Sequence, residues 1–393
     1  MRSGTHVGKA PSMLIRPMLR ASAFLLALWV AVGGGNVVKI RNDVPRLGTD
    51  GSIIDAHSGM ILEHNGTFFW YGERYGNTTG PDSTWAAQSA PVVGVYTSTD
   101  LVSWTDRGTI FSASSTPCAS PPCTQWVPFV LWDEERELFI IWYGSGGWGR
   151  ATSLDGIHFD PVLPSTTSRF GGQTDGNVIF IDDDAAKTGY IIFSATELGH
   201  QVSIERLTAD YLDTTKVNVS SFFPDAFVEC PSLFKREDVY YVTYGTCCCA
   251  CREGSGLVVF TAPSVLGPWT RQSPWGDVNC EGGEGPGVDI CPGDAFSTGN
   301  FTVPMQGYSI NRIGNETVWL GNRWLQGTGN NPECSNLCGS GEGGSSAVCS
   351  AEAQPDYRVA QDPTYWAPLS FNTDGSIGLL RWKDAFDVQL ELN

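Results

Sequence analysis

Six residues of this chain are of types that could do chemistry together, and each stands at the end of a short apolar run: His57, Glu73, Trp126, Asp175, Glu229 and Gln306. Carboxylates and an imidazole can move protons, an amide can hold a polar group, and an indole offers a flat apolar face. His57 and Glu73 share one stretch, DAHSGMILEHNGTFFWYGE (residues 55–73). It reads as a β-hairpin that turns at Asn65-Gly66 and closes on a carboxylate. Local spacing leaves two readings open. Glu73 is either a strand-end carboxylate facing water or one wall of a binding site, His57 can be a core histidine that orients a neighbour, and a tryptophan such as Trp126 is more often core than platform.

The elements that must position these residues repeat. Five segments pair a short apolar strand with a second strand rich in aromatic and β-branched residues across a polar turn: SGMILEHNGTFFWYGE, WVPFVLWDEERELFIIWYG, GNVIFIDDDAAKTGYIIFSA, ECPSLFKREDVYYVTYG and YSINRIGNETVWLGNRW. Most lead into a weaker third strand, such as GVYTSTDLVSW, VSIERLTADYL or GLVVFTAPSVLGPW. A hairpin with outer strands, recurring every ~50 to 80 residues, predicts an all-β, five-bladed β-propeller in a single domain. A β-sandwich is the alternative, but its strands would come every ~8 to 12 residues without a repeated unit. VVKIR (37–41) and GSIGLLRW (375–382) are expected to close the ring from its two ends, and 327–356 is a Gly-, Ser- and Cys-rich insertion in the last blade. In a propeller the innermost strands begin near the axis. Those starts carry His57 with Ser58, Trp126, Asp175, Glu229 and Gln306, and polar groups there argue for a functional axis, because unpaired charge in a packed core is costly.

Composition fits many short strands and few long helices: 393 residues with 46 Gly, 23 Pro and 14 Trp. A net charge of -18 excludes phosphate-backbone partners, so no nucleic acid is expected. Residues 1–35 carry Arg2, Lys9, Arg16 and Arg20 ahead of the apolar run AFLLALWVAV (23–32) and read as a signal peptide or signal anchor; 36–393 form the propeller. The run is short for a membrane span. Twelve cysteines and sequons at Asn65, Asn77, Asn218, Asn300 and Asn315 then point to a secreted, disulfide-bonded glycoprotein. The CCCAC cluster (247–251) has one C-x-x-C and no nearby His, so disulfides are preferred to zinc. A hairpin over 229–247 would bring Cys230 near Cys247, and Cys118 with Cys123 is another short-range candidate pair. No cofactor, no metal and a monomer are expected.

The motifs DAHSGMILEHNGTFFWYGE, DGNVIFIDDD, ECPSLFKREDVYY, LGPW, LGNRW and YWAPLSFNTDGSI keep an order that resembles glycoside hydrolase family 43, the five-bladed glycosidases, from about Ile53 to Trp382. Within that family they look most like the exo-β-1,3-galactanase branch. The resemblance implies an inverting hydrolase acting on a galactan-type polysaccharide or oligosaccharide, with Glu229 as general acid and Asp175 as the carboxylate that tunes and orients it. It implies a blade-one aspartate base, yet Ser58 stands there; Asp55 lies three residues earlier. It also implies that Gln306 holds the attacking water, that His57 and Glu73 face the funnel to contact sugar hydroxyls, and that Trp126 stacks beneath a sugar ring. The gap from Asp175 to IDDD is one residue longer than is usual in the family. Arabinofuranosidases and xylosidases of the same family are the alternative, as is a propeller that binds carbohydrate without cleaving it. Some members hold an axial calcium; with five His and no ligand cluster, none is expected here.

Overall fold

The computed structural model describes residues 36–76, 92–111, 125–145, 147–171, 174–220, 223, 228–246, 254–273, 276–280, 301–324 and 359–390. The expectations for the leader, the CCCAC cluster, the Cys118–Cys123 pair, the 327–356 insertion and the sequons at Asn77 and Asn300 fall outside these residues. Cys230 is buried on the inner strand of blade four, and its candidate partner Cys247 also falls outside the described residues. Among the described residues no helix is long and apolar enough to cross a membrane.

Five antiparallel sheets follow one another along the chain. Blade one is β2 (His57–His64), β3 (Thr67–Arg74), β4 (Val92–Ser98) and β5 (Thr105–Thr109). Blade two is β6 (Trp126–Asp133), β7 (Leu138–Gly144), β8 (Trp148–Ser153) and β9 (Asp160–Thr166). Blade three is β10 (Thr174–Ile181), β11 (Gly189–Ala195), β12 (Gln201–Leu207) and β13 (Thr214–Ser220). Blade four is β14 (Val228–Arg236), β15 (Val239–Thr246), β16 (Val258–Ala262) and β17 (Thr270–Arg271). Blade five shows β18 (Gln306–Ile313), β19 (Glu316–Asn322) and β20 (Thr364–Pro368) among the described residues. The Asn65-Gly66 turn joins β2 to β3 as its chemistry predicts, both residues taking the positive φ that such a tight turn requires.

The core is divided as a propeller demands, one apolar cluster for each seam between blades. Met60, Phe69 and Tyr71 pack on Val130, Phe139 and Ile141 between blades one and two. Ile140 and Trp142 meet Ile191 and Phe193 at the next seam, and Ile192 and Ile204 meet Val242 and Phe260 at the third. Tyr241 and Val259 meet Trp319 and Tyr365 at the fourth. The last seam joins Trp70 and Trp104 to Val318 and Trp366. Strands of every blade are therefore apolar on both faces rather than alternating, because each sheet has a neighbour on either side.

Ring closure departs from expectation in one strand. β1 (Val37–Arg41) does close the ring, but it pairs with β21 (Ala385–Gln389), not with residues 375–382. In that segment Ile377 is fully buried against blades four and five, and its backbone N–H and C=O are satisfied by the Gln272 side-chain amide at 2.7 and 2.9 Å. A side chain thus meets the backbone groups that a ladder would otherwise serve.

Candidate active site

The inner strands share a kink directly after their first chemically interesting residue. In blades one to four the next residue takes a positive φ: Ser58 50°, Val127 44°, Gly176 70° and Cys230 52°. At each, two residues oppose one on the neighbouring strand, so the ladder jumps from His57↔Glu73 to Met60↔Tyr71, and likewise after Trp126, Asp175 and Glu229. Such bulges bend the strand and re-aim its first side chain. Left-handed backbone costs a non-glycine residue about 1–2 kcal/mol, and strain of this kind concentrates where geometry serves function. In blade five the irregularity falls between Gly307 and Ser309, just past Gln306.

At the axis Glu229 and Gln306 are brought into contact: Gln306 Nε2 donates to Glu229 Oε2 at 3.2 Å, and both residues are buried. Trp324, from the LGNRW motif, donates its indole N–H to Gln306 Oε1 at 2.8 Å. Tyr75, Val127, Cys230, Tyr308 and Trp324 form a small apolar cluster on the axis, and the half-buried Trp126 packs against it. Ser58, where the family resemblance implies an aspartate, is clasped from blade five: its N–H donates to Asn322 Oδ1 at 3.3 Å and its hydroxyl accepts from Asn322 Nδ2 at 3.2 Å. Asn322 is the cross-strand partner of Gln306, so one rung of blade five touches both places.

Glu73 and His57 form the other side of this cluster. Glu73 is 1% exposed; its Oε1 accepts from the Val127 N–H at 2.7 Å and its Oε2 from the Tyr75 hydroxyl at 2.6 Å. Burial pushes its carboxyl up to about 7, against the pull of those two donors and of His57. His57 is fully buried, with its ring stacked 5.9 Å from Trp324 and edge-on to Tyr75. Its Nε2 lies 3.4 Å from Asp55 Oδ1, but neither ring nitrogen makes a well-aimed hydrogen bond. Burial opposes a charge on this ring; contact with Asp55, together with the fields of Asp55, Asp362 and Glu73, outweighs it and holds the imidazole above its ordinary value. Asp55 is committed to the backbone, its two oxygens accepting from the N–H groups of Tyr75 and Gly76 at 3.0 and 2.7 Å.

Asp175 is the second residue of the blade-three inner strand, opposite Ser194, and the next residue, Gly176, lies against the Cys230-Pro231 bend that follows Glu229. Three partners escaped the sequence reading. Tyr75 and Trp324 lie just beyond strand ends, and Asp362 is 1% exposed in the loop before β20, within the field of His57. A signal for the kinks was present, since Pro128 and Pro231 interrupt apolar strands two residues after Trp126 and Glu229, and proline inside a strand marks a bulge.

An opening of about 1040 Å³ lies at the far ends of the inner strands, its wall mixing aliphatic residues such as Met60, Ile61, Ile179 and Ile310 with polar ones such as Glu63 and Arg312. None of the six candidate residues lines it. Among the described residues no group of three or more His, Cys, Asp and Glu is arranged to hold a metal ion.

Comparison with known proteins places these features. The propeller is similar to the exo-β-1,3-galactanase of Phanerochaete chrysosporium solved with β-1,3-galactotriose, at 21% identity and a TM-score of 0.65 over 90% of this chain and 69% of that one. An exo-β-1,3-galactanase from Clostridium thermocellum matches at 19% identity and a TM-score of 0.64, covering 89% and 67%. An endo-1,4-β-xylanase from Bacteroides thetaiotaomicron matches at 16% and 0.54, covering 86% and 98%. At these identities the likeness is one of fold. No curated protein sequence matches the chain significantly. The sequence profile of the glycosyl hydrolases family 43 matches residues 61–275, more than half of the chain, and the protein belongs to that family.

Proposed function

We propose that this glycoside hydrolase is a secreted, exo-acting enzyme that removes terminal galactose from β-1,3-galactan with inversion. The observation that carries the reading is the meeting of a buried glutamic acid and a glutamine, Glu229 and Gln306, where the inner strands of blades four and five begin. Glu229 gives its proton to the glycosidic oxygen as the bond to the anomeric carbon breaks. A water held by Gln306 attacks the opposite face of that carbon and releases its proton to solvent, since a neutral amide is a poor base. Asp175, on the neighbouring blade, supplies the negative field that keeps Glu229 protonated until it acts. An inverting pair stands roughly 6.5–9.5 Å apart to seat the water. That spacing is one between two carboxyl groups; Gln306 is an amide, and it keeps its 3.2 Å contact with Glu229 while it holds the water. Asp55 is not the base in this reading, because both its oxygens already serve backbone amides.

The test is incubation with β-1,3-galacto-oligosaccharides and with aryl arabinofuranosides and xylosides. Release of galactose alone, first seen by NMR as the α-anomer, is expected; pentose release would move the enzyme to another branch. Glu229→Gln should lower turnover ~100-fold or more on galactan and much less on an activated aryl galactoside, whose leaving group needs no proton. Gln306→Ala should slow both. Galactan binding without hydrolysis by the wild type would favour a carbohydrate-binding propeller, the reading motivated by Ser58 at the base position.

A further inference from the structure

The orientation of the Gln306 amide follows from chemistry. An indole N–H only donates, so the amide atom that faces Trp324 at 2.8 Å is the oxygen, and the atom that faces Glu229 Oε2 at 3.2 Å is the NH2 group. The indole has little freedom to release its hold: Trp324 is 4% exposed, its ring lies 19° from parallel with His57, and Tyr75, Val127, Cys230 and Tyr308 pack around it. The flipped amide would turn its oxygen toward Glu229 and accept the carboxylic proton, and that proton would then point at Gln306 rather than at the glycosidic oxygen.

We propose that Trp324 is a positioning residue that locks the Gln306 amide with its NH2 toward Glu229, so that Oε2 meets a donor and the acid's proton is carried on the other carboxyl oxygen. This rests on the roles proposed above for Glu229 and Gln306. No sugar contact is required of Trp324, which acts through the amide.

Trp324→Phe keeps an aromatic ring on His57 and removes the N–H. It is expected to lower kcat on a β-1,3-galacto-oligosaccharide by roughly 10-fold or more with KM changed less than about 2-fold, and to cost an activated aryl galactoside less. In a Gln306→Ala background the same substitution should have no further effect on kcat, because there is no amide left to orient. A rise in KM at unchanged kcat, equal losses on both substrates, or an additive loss in the double variant would each overturn the proposal. Should Glu229→Gln and Gln306→Ala themselves leave turnover unchanged, the proposed function fails. If they behave as described and Trp324→Phe does not, only the lock fails. A second measurement does not depend on the folding of the Phe variant: the Trp324 indole N–H resonance should shift when Gln306→Ala is introduced, and an unmoved resonance would remove the contact from the argument.

Discussion

Glu73 sits under two opposing demands, since burial disfavours its charge while two donors and a nearby imidazole favour it, and burial wins. A carboxyl raised from 4.5 to about 7 binds its proton more tightly in the native than in the unfolded chain. The native state is therefore favoured while both forms are protonated, below about pH 4.5, and this advantage is lost as pH rises through about 7. The loss is on the order of 3 kcal/mol. His57, also raised, acts with the same sign, its contribution fading as pH climbs past its folded value. Glu73→Gln keeps the shape and can still accept from Val127 while facing the Tyr75 hydroxyl, so it should flatten the pH dependence. Urea unfolding is expected to show the variant gaining on the wild type between about pH 5 and about pH 8. A wild-type stability that rises over that interval, with the variant parallel to it, would show that Glu73 is charged in the native state throughout. The two strand-end positions of this hairpin were legible in the sequence because the Asn-Gly turn at its tip sets which residues face each other across it. The partners of Glu73 were not, because the Val127 amide faces it only by virtue of a left-handed backbone in another blade.

Bulges are the element-scale device that makes the axis a site. Pro128 and Pro231 signalled the bends of blades two and four in the sequence, but nothing in the pattern of blades one and three said that those strands bend as well. The bend after Glu229 depends on its neighbour: Gly176 has φ 70°, and a Cβ placed there would come 2.8 Å from Pro231 Cδ. Gly176→Ala should therefore press on the residue pair that aims Glu229, destabilising the fold by about 1–3 kcal/mol and lowering kcat on galactan. Turnover equal to the wild type in the folded variant would separate the aim of Glu229 from this contact. Hairpin tips carry a different prediction. Asn65 and Asn315 are exposed in the turns of the inner hairpins of blades one and five, at the opposite end of those hairpins from His57 and Gln306, whereas the Asn218 amide nitrogen is buried on β13. Expression in a secreting eukaryotic host followed by peptide mapping should find glycan on Asn65 and Asn315 and none on Asn218. Occupancy of Asn218 would mean that β13 leaves the blade-three sheet.

The ring as a whole closes where chain ends meet, and Asn42 is the fastener. Its Nδ2 donates to the carbonyls of Trp366 and Lys383 at 3.0 and 3.1 Å, and its Oδ1 accepts from the Trp366 N–H and from Arg46 at 3.2 and 2.8 Å. Arg46 in turn lies over the fully buried Trp366 ring, which meets Trp70 and Trp104 edge-on at the last seam. The need for closure was readable from VVKIR, but its partner was not, because the choice between 375–382 and 385–389 was made by Gln272 reaching in from blade four to satisfy Ile377. Asn42→Ala leaves buried backbone groups without partners, which should cost about 2–4 kcal/mol and several degrees of melting temperature. Asn42→Asp keeps the acceptor but sets a carboxylate oxygen against the Trp366 and Lys383 carbonyls, so it should cost at least as much as the alanine. Activity per folded molecule at 25 °C is expected to stay near that of the wild type in both variants, because the blade-five rung at Gln306 and Asn322 is tied to blade one by its own bonds at Ser58, and by Ser309 to the Gly59 carbonyl at 2.6 Å. A fall in kcat that tracks the fall in melting temperature would show instead that the strap at the rim sets the spacing of the residues on the axis.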